Sequence, residues 1–205
     1  MTPDHYFTAQ PASPDERRAL RVRLAGRDVE VQVAPGTFSP GGLDRGTAVL
    51  LDEAPAPPES GTFLDVGCGW GPIALTLGLL SSAATVYAVD VNERSLDLTA
   101  RNAAALGLDG VRVSGPDGIP EGVEFDLIWS NPPIRVGKAA LHEILATWLP
   151  RLRPDGRAEL VVAKNLGADS LARWIETELG LTTERRATSR GFRVLTVSRP
   201  RDAAR

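Results

Sequence analysis

Five consecutive residues, Ser130-Asn131-Pro132-Pro133-Ile134, carry the sharpest chemical signal in the chain. They follow an apolar run, Phe125-Asp126-Leu127-Ile128-Trp129, whose composition predicts a buried strand. Two prolines remove two backbone donors and stiffen the turn. The Asn131 amide and the neighbouring carbonyls are therefore expected at the strand's end as a rigid set of acceptors. Such acceptors suit an –NH₂ group.

A second constellation lies upstream. Leu64-Asp65-Val66-Gly67-Cys68-Gly69-Trp70-Gly71 reads as a strand running into a glycine loop and then a helix. Glycines let backbone approach a ligand closely at the carboxyl end of a strand, where α/β sheets bind their ligands. The next strand, Val86-Tyr87-Ala88-Val89-Asp90, ends in a carboxylate about 20 residues beyond the loop, the spacing that grips a ribose diol. Alone, these would fit a dinucleotide fold. However, Pro72 stands where the third glycine of G-x-G-x-x-G belongs. Asp65, just before the loop, also suits an ammonium group better than a pyrophosphate. Read together, glycine loop and Asn-Pro-Pro turn point to methylation of a planar nitrogen.

Regular alternation must position these groups. Strands are expected near 62–66, 84–90, 111–114, 124–130 and 157–163, with helices near 71–81, 93–107, 138–152 and 169–179. Asn92 and Asp169 are the expected N-caps, Gly107 and Gly180 the expected stops. Leu181 to Ala187 and Phe192 to Ser198 flank a Ser189-Arg190-Gly191 turn and predict an antiparallel hairpin at the sheet edge. The fold class that follows is α/β: a Rossmann-like, seven-stranded, mostly parallel sheet in three α/β/α layers, finished by that hairpin. Near the N-terminus, Arg21 to Leu24 and Val29 to Val33 predict a second, short β-hairpin around Gly26-Arg27. A helix from Leu43 or Asp44 to about Asp52 is expected after the Pro35–Gly42 loop. The expected boundaries are 1–34 for a lead-in and hairpin appendage (the lead-in itself over 1–16), 35–199 for the main domain and 200–205 for a tail.

Composition narrows the class further. The 205 residues are 42% hydrophobic and 24% charged, with a net charge of −3, which fits one soluble domain and argues against a surface that coats nucleic acid. Cys68 is the only cysteine, and His5 and His142 are the only histidines, so neither a disulfide nor a Cys- or His-based metal site is expected. No signal or bilayer-spanning segment stands out, so a cytoplasmic protein without metal or membrane is expected. Arginines cluster between Arg17 and Arg27 and again between Arg185 and Arg201, as solvated faces or as a phosphate-contacting patch.

Asp65-Val-Gly-Cys-Gly-Trp-Gly71, Asp90 and Asn131-Pro132-Pro133, in this order, resemble the class I S-adenosylmethionine-dependent methyltransferases. The loop Pro35-Gly-Thr-Phe-Ser-Pro-Gly-Gly-Leu-Asp44-Arg-Gly-Thr47, with Val161 to Asn165 and Gly191-Phe192-Arg193-Val194, resembles more closely the catalytic domain of the 16S ribosomal RNA guanine-N2 methyltransferases. The resemblance spans roughly residues 35–198. It implies S-adenosylmethionine as cofactor, with Asp65, Gly67, Cys68, Gly69 and Gly71 at its amino-acid end. Asp90 would accept the ribose hydroxyls, Val91 and Asn92 would lie beside the adenine, Asp117 would meet the adenine amine, and Asn131 would border the cofactor too. Asn131, Pro132 and Pro133 become the catalytic turn. Phe38 and Asp44 would close the pocket, with Ile134, Arg135, Lys138 and Lys164 on the substrate side.

The implied activity is methylation of the exocyclic N2 amine of a guanine in ribosomal RNA, free or in the small subunit, by a monomer or homodimer. Two departures stand out. Ile134 occupies the place after Asn-Pro-Pro that is usually aromatic in this superfamily, with Phe38 as the nearest substitute. The ribosomal enzymes also carry a second, N-terminal copy of the domain that helps bind RNA, whereas here an Arg-rich hairpin precedes the loop, either a reduced RNA contact or a lid. Asn-Pro-Pro itself does not choose among planar nitrogens, so protein glutamine, DNA adenine and small molecules remain alternative acceptors. A non-catalytic, cofactor-binding RNA or assembly factor is a further alternative, opposed by the intact Asp65, Asp90 and Asn131. A nicotinamide oxidoreductase is disfavoured by Pro72.

Overall fold

A computed structural model describes residues 15–200. Most of the expected lead-in, His5 within it, and nearly all of the tail lie outside the described residues. The chain begins with an antiparallel hairpin, β1 (Arg18–Leu24) and β2 (Arg27–Val33). Its turn is Ala25-Gly26, one residue earlier than expected, with φ values of 48° and 74°. Two consecutive left-handed residues make the tight turn whose twist matches the strands.

The remaining strands form one sheet: β3 (Ser60–Val66), β4 (Ala83–Val89), β5 (Val111–Ser114), β6 (Phe125–Ser130), β7 (Leu152–Ala163), β8 (Thr182–Ser189) and β9 (Phe192–Ser198). Their spatial order is β5-β4-β3-β6-β7-β9-β8. Strands β3 to β7 are parallel, and β9 runs antiparallel to both β7 and β8. The seven-stranded, mostly parallel sheet with an antiparallel finish is therefore as expected. Chain order reverses between β3 and β6, and such a switch point opens a crevice beyond the carboxyl ends of the strands. The glycine loop leaves β3 and the Asn-Pro-Pro turn leaves β6, so topology alone makes them neighbours.

Helices α1 (Arg45–Glu53), α2 (Pro72–Leu80) and α3 (Glu93–Ala105) lie on one side, with α4 (Lys138–Trp148) and α5 (Ala168–Leu179) on the other. Each layer has its own core. Phe63, Leu127, Trp129 and Val161 face α1 and α2, whereas Leu64, Ile128, Leu160 and Val162 face α4 and α5, the alternation that a pleated strand dictates. A third cluster joins Leu24, Val31 and Val33 of the hairpin to Trp70, Leu75 of α2 and Leu98 of α3. Asn102 fastens it, accepting from the Gln32 N–H at 2.7 Å and donating to the Gln32 carbonyl at 3.0 Å. The hairpin thus packs outside α2 and α3.

Asn92 caps α3 as expected. Asp169 does not cap α5: Gly167 does, in a left-handed conformation, and Asp169 sits in the first turn, paired with Arg185 and Arg193. Helix α4 ends at Trp148 rather than near residue 152, and a short 3₁₀ turn at Leu149–Arg151 follows, because Pro150 has no N–H to continue the ladder. Strand β7 starts at Leu152, earlier than the sequence suggested, since Arg153-Pro154-Asp155-Gly156 looks like a turn but joins the strand across a bulge. Among the described residues no helix is long and apolar enough to cross a membrane, and no three metal-ligating side chains converge.

Candidate active site

Backbone hydrogen bonds hold the glycine loop in place. Gly67 and Cys68 both donate to the Val89 carbonyl, at 2.9 and 3.0 Å, which folds the loop against the end of β4. Gly67 has a φ of 79°, and a Cβ there would point into open space, so this glycine leaves a cradle that any other residue would fill. Gly71 serves packing instead: a Cβ on it would lie 3.1 Å from Thr99 and 3.3 Å from Leu75.

Asp65 is fully buried, and its Oδ2 accepts the Ala74 N–H at 3.0 Å. Its Oδ1 is buried without any partner. Burial pushes the carboxyl up to about 8, with the charge of Asp90 adding to the rise and the Ala74 hydrogen bond opposing it. Asp65 itself does not line the cleft, so its unpartnered oxygen stays buried beneath the loop, where a positive charge brought in by a ligand would repay the cost of burying it.

Asp90 follows β4 and lines the cleft. Its Oδ2 accepts from Gly69 at 3.0 Å and its Oδ1 from Asn92 at 2.9 Å, which fixes the plane of the carboxylate. Burial raises its pKa, opposed by the backbone N–H groups of Asn92, Gly69 and Val91. Each oxygen keeps a further lone pair, so the group can still accept hydroxyl donors from the cleft. Val91 is an exposed apolar side chain beside it, 47% accessible, and forms part of the wall.

On the opposite side, Ser130 donates to the Val66 carbonyl at 2.7 Å and ties the end of β6 to the end of β3. Asn131 donates its side-chain amide to Asp44 Oδ2 at 2.8 Å and to Thr47 Oγ1 at 3.1 Å. Both N–H bonds are thereby used, and Asn131 Oδ1 is the atom left to accept from the cleft. The same Asp44 oxygen caps α1 by accepting from Gly46 and Thr47, at 2.7 and 3.1 Å. Pro133, with φ −74° and ψ 75°, is the centre of an inverse γ-turn closed by Ile134 N–H to Pro132 O at 2.8 Å. One lone pair of the Pro132 carbonyl is thus occupied, and one remains.

Between these two halves lies a cleft of about 620 Å³, a size that suits a nucleoside-sized ligand. It brings together Phe38, Asp44, Gly67, Asp90, Val91, and the whole turn Asn131 to Ile134. A family model, methyltransferase small domain, matches residues 28–196. The chain belongs to the methyltransferase small domain family.

This methyltransferase is similar to two relatives and one solved structure. It is 32% identical over 176 residues to uncharacterized protein YbxB of Bacillus subtilis (strain 168), covering 84% of this chain and 88% of that protein. It is 37% identical over 206 residues to ribosomal RNA small subunit methyltransferase C of Pseudomonas entomophila (strain L48), covering 97% of this chain. The match spans only 59% of that relative. Among solved structures, the T. thermophilus 16S rRNA N2 G1207 methyltransferase (RsmC), in complex with AdoMet and guanosine, superposes with a TM-score of 0.78 at 25% identity. That likeness covers 91% of this chain and 52% of the other.

Not every expected residue of the methyltransferase site reaches the cleft. Asn92 does not line it: its side-chain oxygen caps α3 through Arg94 and Ser95, and its Nδ2 donates to the Gly36 carbonyl at 2.8 Å. That last bond, with Arg94 to the Pro35 carbonyl at 2.6 Å, moors the loop that carries Phe38. Cys68 is buried, and burial raises its thiol well above the ordinary range. Gly69 does not line the cleft, although its N–H holds Asp90. Asp117 sits exposed in a 3₁₀ turn whose Pro116 alone touches the cleft.

Lys138 opens α4 and Lys164 opens a 3₁₀ turn after β7; both are exposed and neither lines the cleft. Arg135 lies in the 3₁₀ turn Ile134–Val136. His142 stacks on Trp174 with ring centroids 3.7 Å apart, a packing contact remote from the chemistry. Sequence reasoning missed Ile144, Trp148, Leu166 and Phe192, which complete the wall. Trp148 reads as core from its helical face, and it is 4% exposed, yet it lines the cleft. Only the pairing of Phe192 with Ala163, at the carboxyl end of β7, puts that ring at the site.

Proposed function

We propose that this methyltransferase carries the methyl group of S-adenosylmethionine to the exocyclic N2 amine of a guanine in ribosomal RNA. The observation that carries the reading is the locked amide of Asn131. With both of its N–H bonds spent on Asp44 and Thr47, Asn131 offers the cleft an acceptor and nothing else. Its partner must therefore be a donor, as an amine is and a bare ring nitrogen is not. The acceptance of two N–H groups, by Asn131 Oδ1 and the second lone pair of the Pro132 carbonyl, matches a primary amine on a flat ring. The relatives named for ribosomal RNA and the RsmC structure with guanosine support the choice of guanine.

The residues would divide the work between two ends. Asp65 Oδ1 and the Gly67 cradle suit the ammonium end of S-adenosylmethionine, and Asp90 suits its ribose diol. The bound sulfonium supplies the electrophilic methyl. A guanine amine is a weak nucleophile because its lone pair is delocalised into the ring. Two acceptors that draw both N–H bonds toward one side favour a pyramidal nitrogen and aim the lone pair across the cleft. Alignment and fixed dipoles then carry the rate. The carboxylates of Asp44 and Asp90 are already engaged by backbone amides, and the proton becomes acidic once the nitrogen bears the methyl, so no dedicated base is assigned. A base must leave its stack to reach such a cleft.

The test offers methyl-labelled S-adenosylmethionine with small ribosomal subunits, deproteinised ribosomal RNA or protein extract, followed by digestion to nucleosides and amino acids. Label recovered as N2-methylguanosine is the expected result. Label in adenine or glutamine, or no transfer to any of the three, would overturn the reading.

A further inference from the structure

The cleft has two apolar walls that come from opposite faces of the sheet. Ile134 follows the catalytic turn and packs against the core under α4 and α5. Phe192 opens β9 and packs against the core under α1 and α2. Asn131 lies between them, at the end of the central strand β6, and all three line the same cavity.

The aromatic wall is placed with unusual closeness. A Cβ built on Gly46 would lie 3.1 Å from Phe192 Cε1 and 3.2 Å from Asn131 Nδ2, so ring edge and amide converge on one point above the start of α1. The ring also sits on a stiff support. Arg190 and Gly191 form a left-handed turn, with φ of 49° and 85°, immediately before it. Lys164 donates to the Gly191 carbonyl at 2.9 Å, and Phe192 pairs with Ala163 across the sheet.

We propose that Phe192 is the stacking wall of the acceptor slot: a flat heteroaromatic base enters between Phe192 and Ile134, its amine edge toward Asn131. A ring gripped by its amine edge still has two faces to be covered, and here one cover is aromatic and the other aliphatic. Base–aromatic stacking contributes about 1–3 kcal/mol per base, and every base offers a π face. The residue therefore sets the class of acceptor, a base rather than an aliphatic amide, while Asn131 sets the reacting atom. The inference rests on the reading that the acceptor is a nucleobase.

The probe is free guanosine, titrated by calorimetry into the chain saturated with S-adenosylhomocysteine. Phe192→Leu keeps apolar volume and removes the π face; it is expected to weaken guanosine binding by about 5- to 150-fold, the stacking range above expressed as an affinity. Phe192→Tyr should restore it, and the affinity for S-adenosylhomocysteine should be equal in all three proteins. Unchanged guanosine binding in Phe192→Leu overturns the inference, as do wild type that binds no guanosine and a variant that loses both ligands together. The two proposals fail separately. Guanosine binding that depends on Phe192, without N2 methylation, sinks only the function; N2 methylation indifferent to Phe192 sinks only the slot.

Discussion

Asp44 Oδ2 accepts the side-chain amide of Asn131 at 2.8 Å, across 87 residues of sequence, while the same oxygen caps the helix that begins beside it. One carboxylate oxygen thus caps α1 and fixes the Asn131 amide. A carboxylate cannot donate, so this contact also decides which end of the Asn131 amide faces the cleft.

Three substitutions separate those duties. Asp44→Ser keeps an N-cap but is too short to reach Asn131, so the melting temperature should stay near wild type while methyl transfer falls by about 100-fold, the usual loss when a reacting group is displaced by an ångström. Asp44→Ala should lose that activity and about 0.5–2 kcal/mol of stability besides. Asp44→Asn, which retains an acceptor oxygen for cap and clamp, should rescue both. Rate and thermal unfolding measured on the same three preparations decide the matter. A fully active Asp44→Ser would remove the clamp.

Gly46 allows a different separation. It stands in the first turn of α1, and a Cβ there would lie 3.0 Å from Asp44 Oδ2, 3.1 Å from Phe192 and 3.2 Å from Asn131. Alanine favours helix over glycine by about 1 kcal/mol, which offsets part of the crowding. Gly46→Ala should therefore stay folded, with a melting temperature close to wild type, yet lose methyl transfer by on the order of 10-fold as Asn131 and Phe192 shift by tenths of an ångström. Activity equal to wild type would show that the two side chains tolerate displacement.

The parts of this site that were legible in the sequence are those in which type and spacing do the work. Glycines at a strand end, a carboxylate closing the next strand, and two prolines after an asparagine each declare a backbone geometry that few other structures require. Asn92 misleads because one residue serves two local rules. It stands beside Asp90, where a ligand contact is expected, but its amide spans the helix cap and the Gly36 carbonyl. Asp169 misleads because αL glycine competes with aspartate for a helix start, and Gly167 wins once Arg185 and Arg193 draw the carboxylate outward. Phe192 and Trp148 are invisible as site residues because their place depends on strand pairing and helix depth across the whole chain. The antiparallel return of β9 was readable; which of its side chains reaches the cleft was not.

Asn131 itself gives the plainest prediction. Asn131→Ala should reduce transfer by at least about 100-fold, the scale for deleting one fixed dipole at a reacting centre. The affinity for S-adenosylhomocysteine should change little, because the Gly67 cradle, Asp65 and Asp90 are left intact. Asn131→Asp, which cannot donate to Asp44 and would set two carboxylates against each other, should be no better. Turnover retained in Asn131→Ala, measured by label in N2-methylguanosine, would remove the assigned role.

Asp65 predicts a pH dependence of definite sign. Burial holds its carboxyl at about 8, against 3.8 for a free aspartate, so the folded chain binds this proton more tightly than the unfolded one. The stability it contributes is complete below pH 4 and is lost as pH rises toward 8. Asp90 and Glu159, both raised by burial, slope the same way. The comparison with Asp65→Asn isolates one carboxyl: its unfolding midpoint should vary less between pH 5 and pH 8. Ligand binding should show the opposite linkage. A cationic ammonium set against the unpartnered Oδ1 favours the ionised form, so the bound state releases a proton below pH 8 and affinity rises toward that pH. Calorimetry of S-adenosylmethionine binding at pH 7, in buffers of differing ionisation enthalpy, should register release approaching about one proton per site in wild type and none of it in Asp65→Asn. Equal release in the two proteins would place the ammonium elsewhere and leave the buried oxygen unexplained by the ligand.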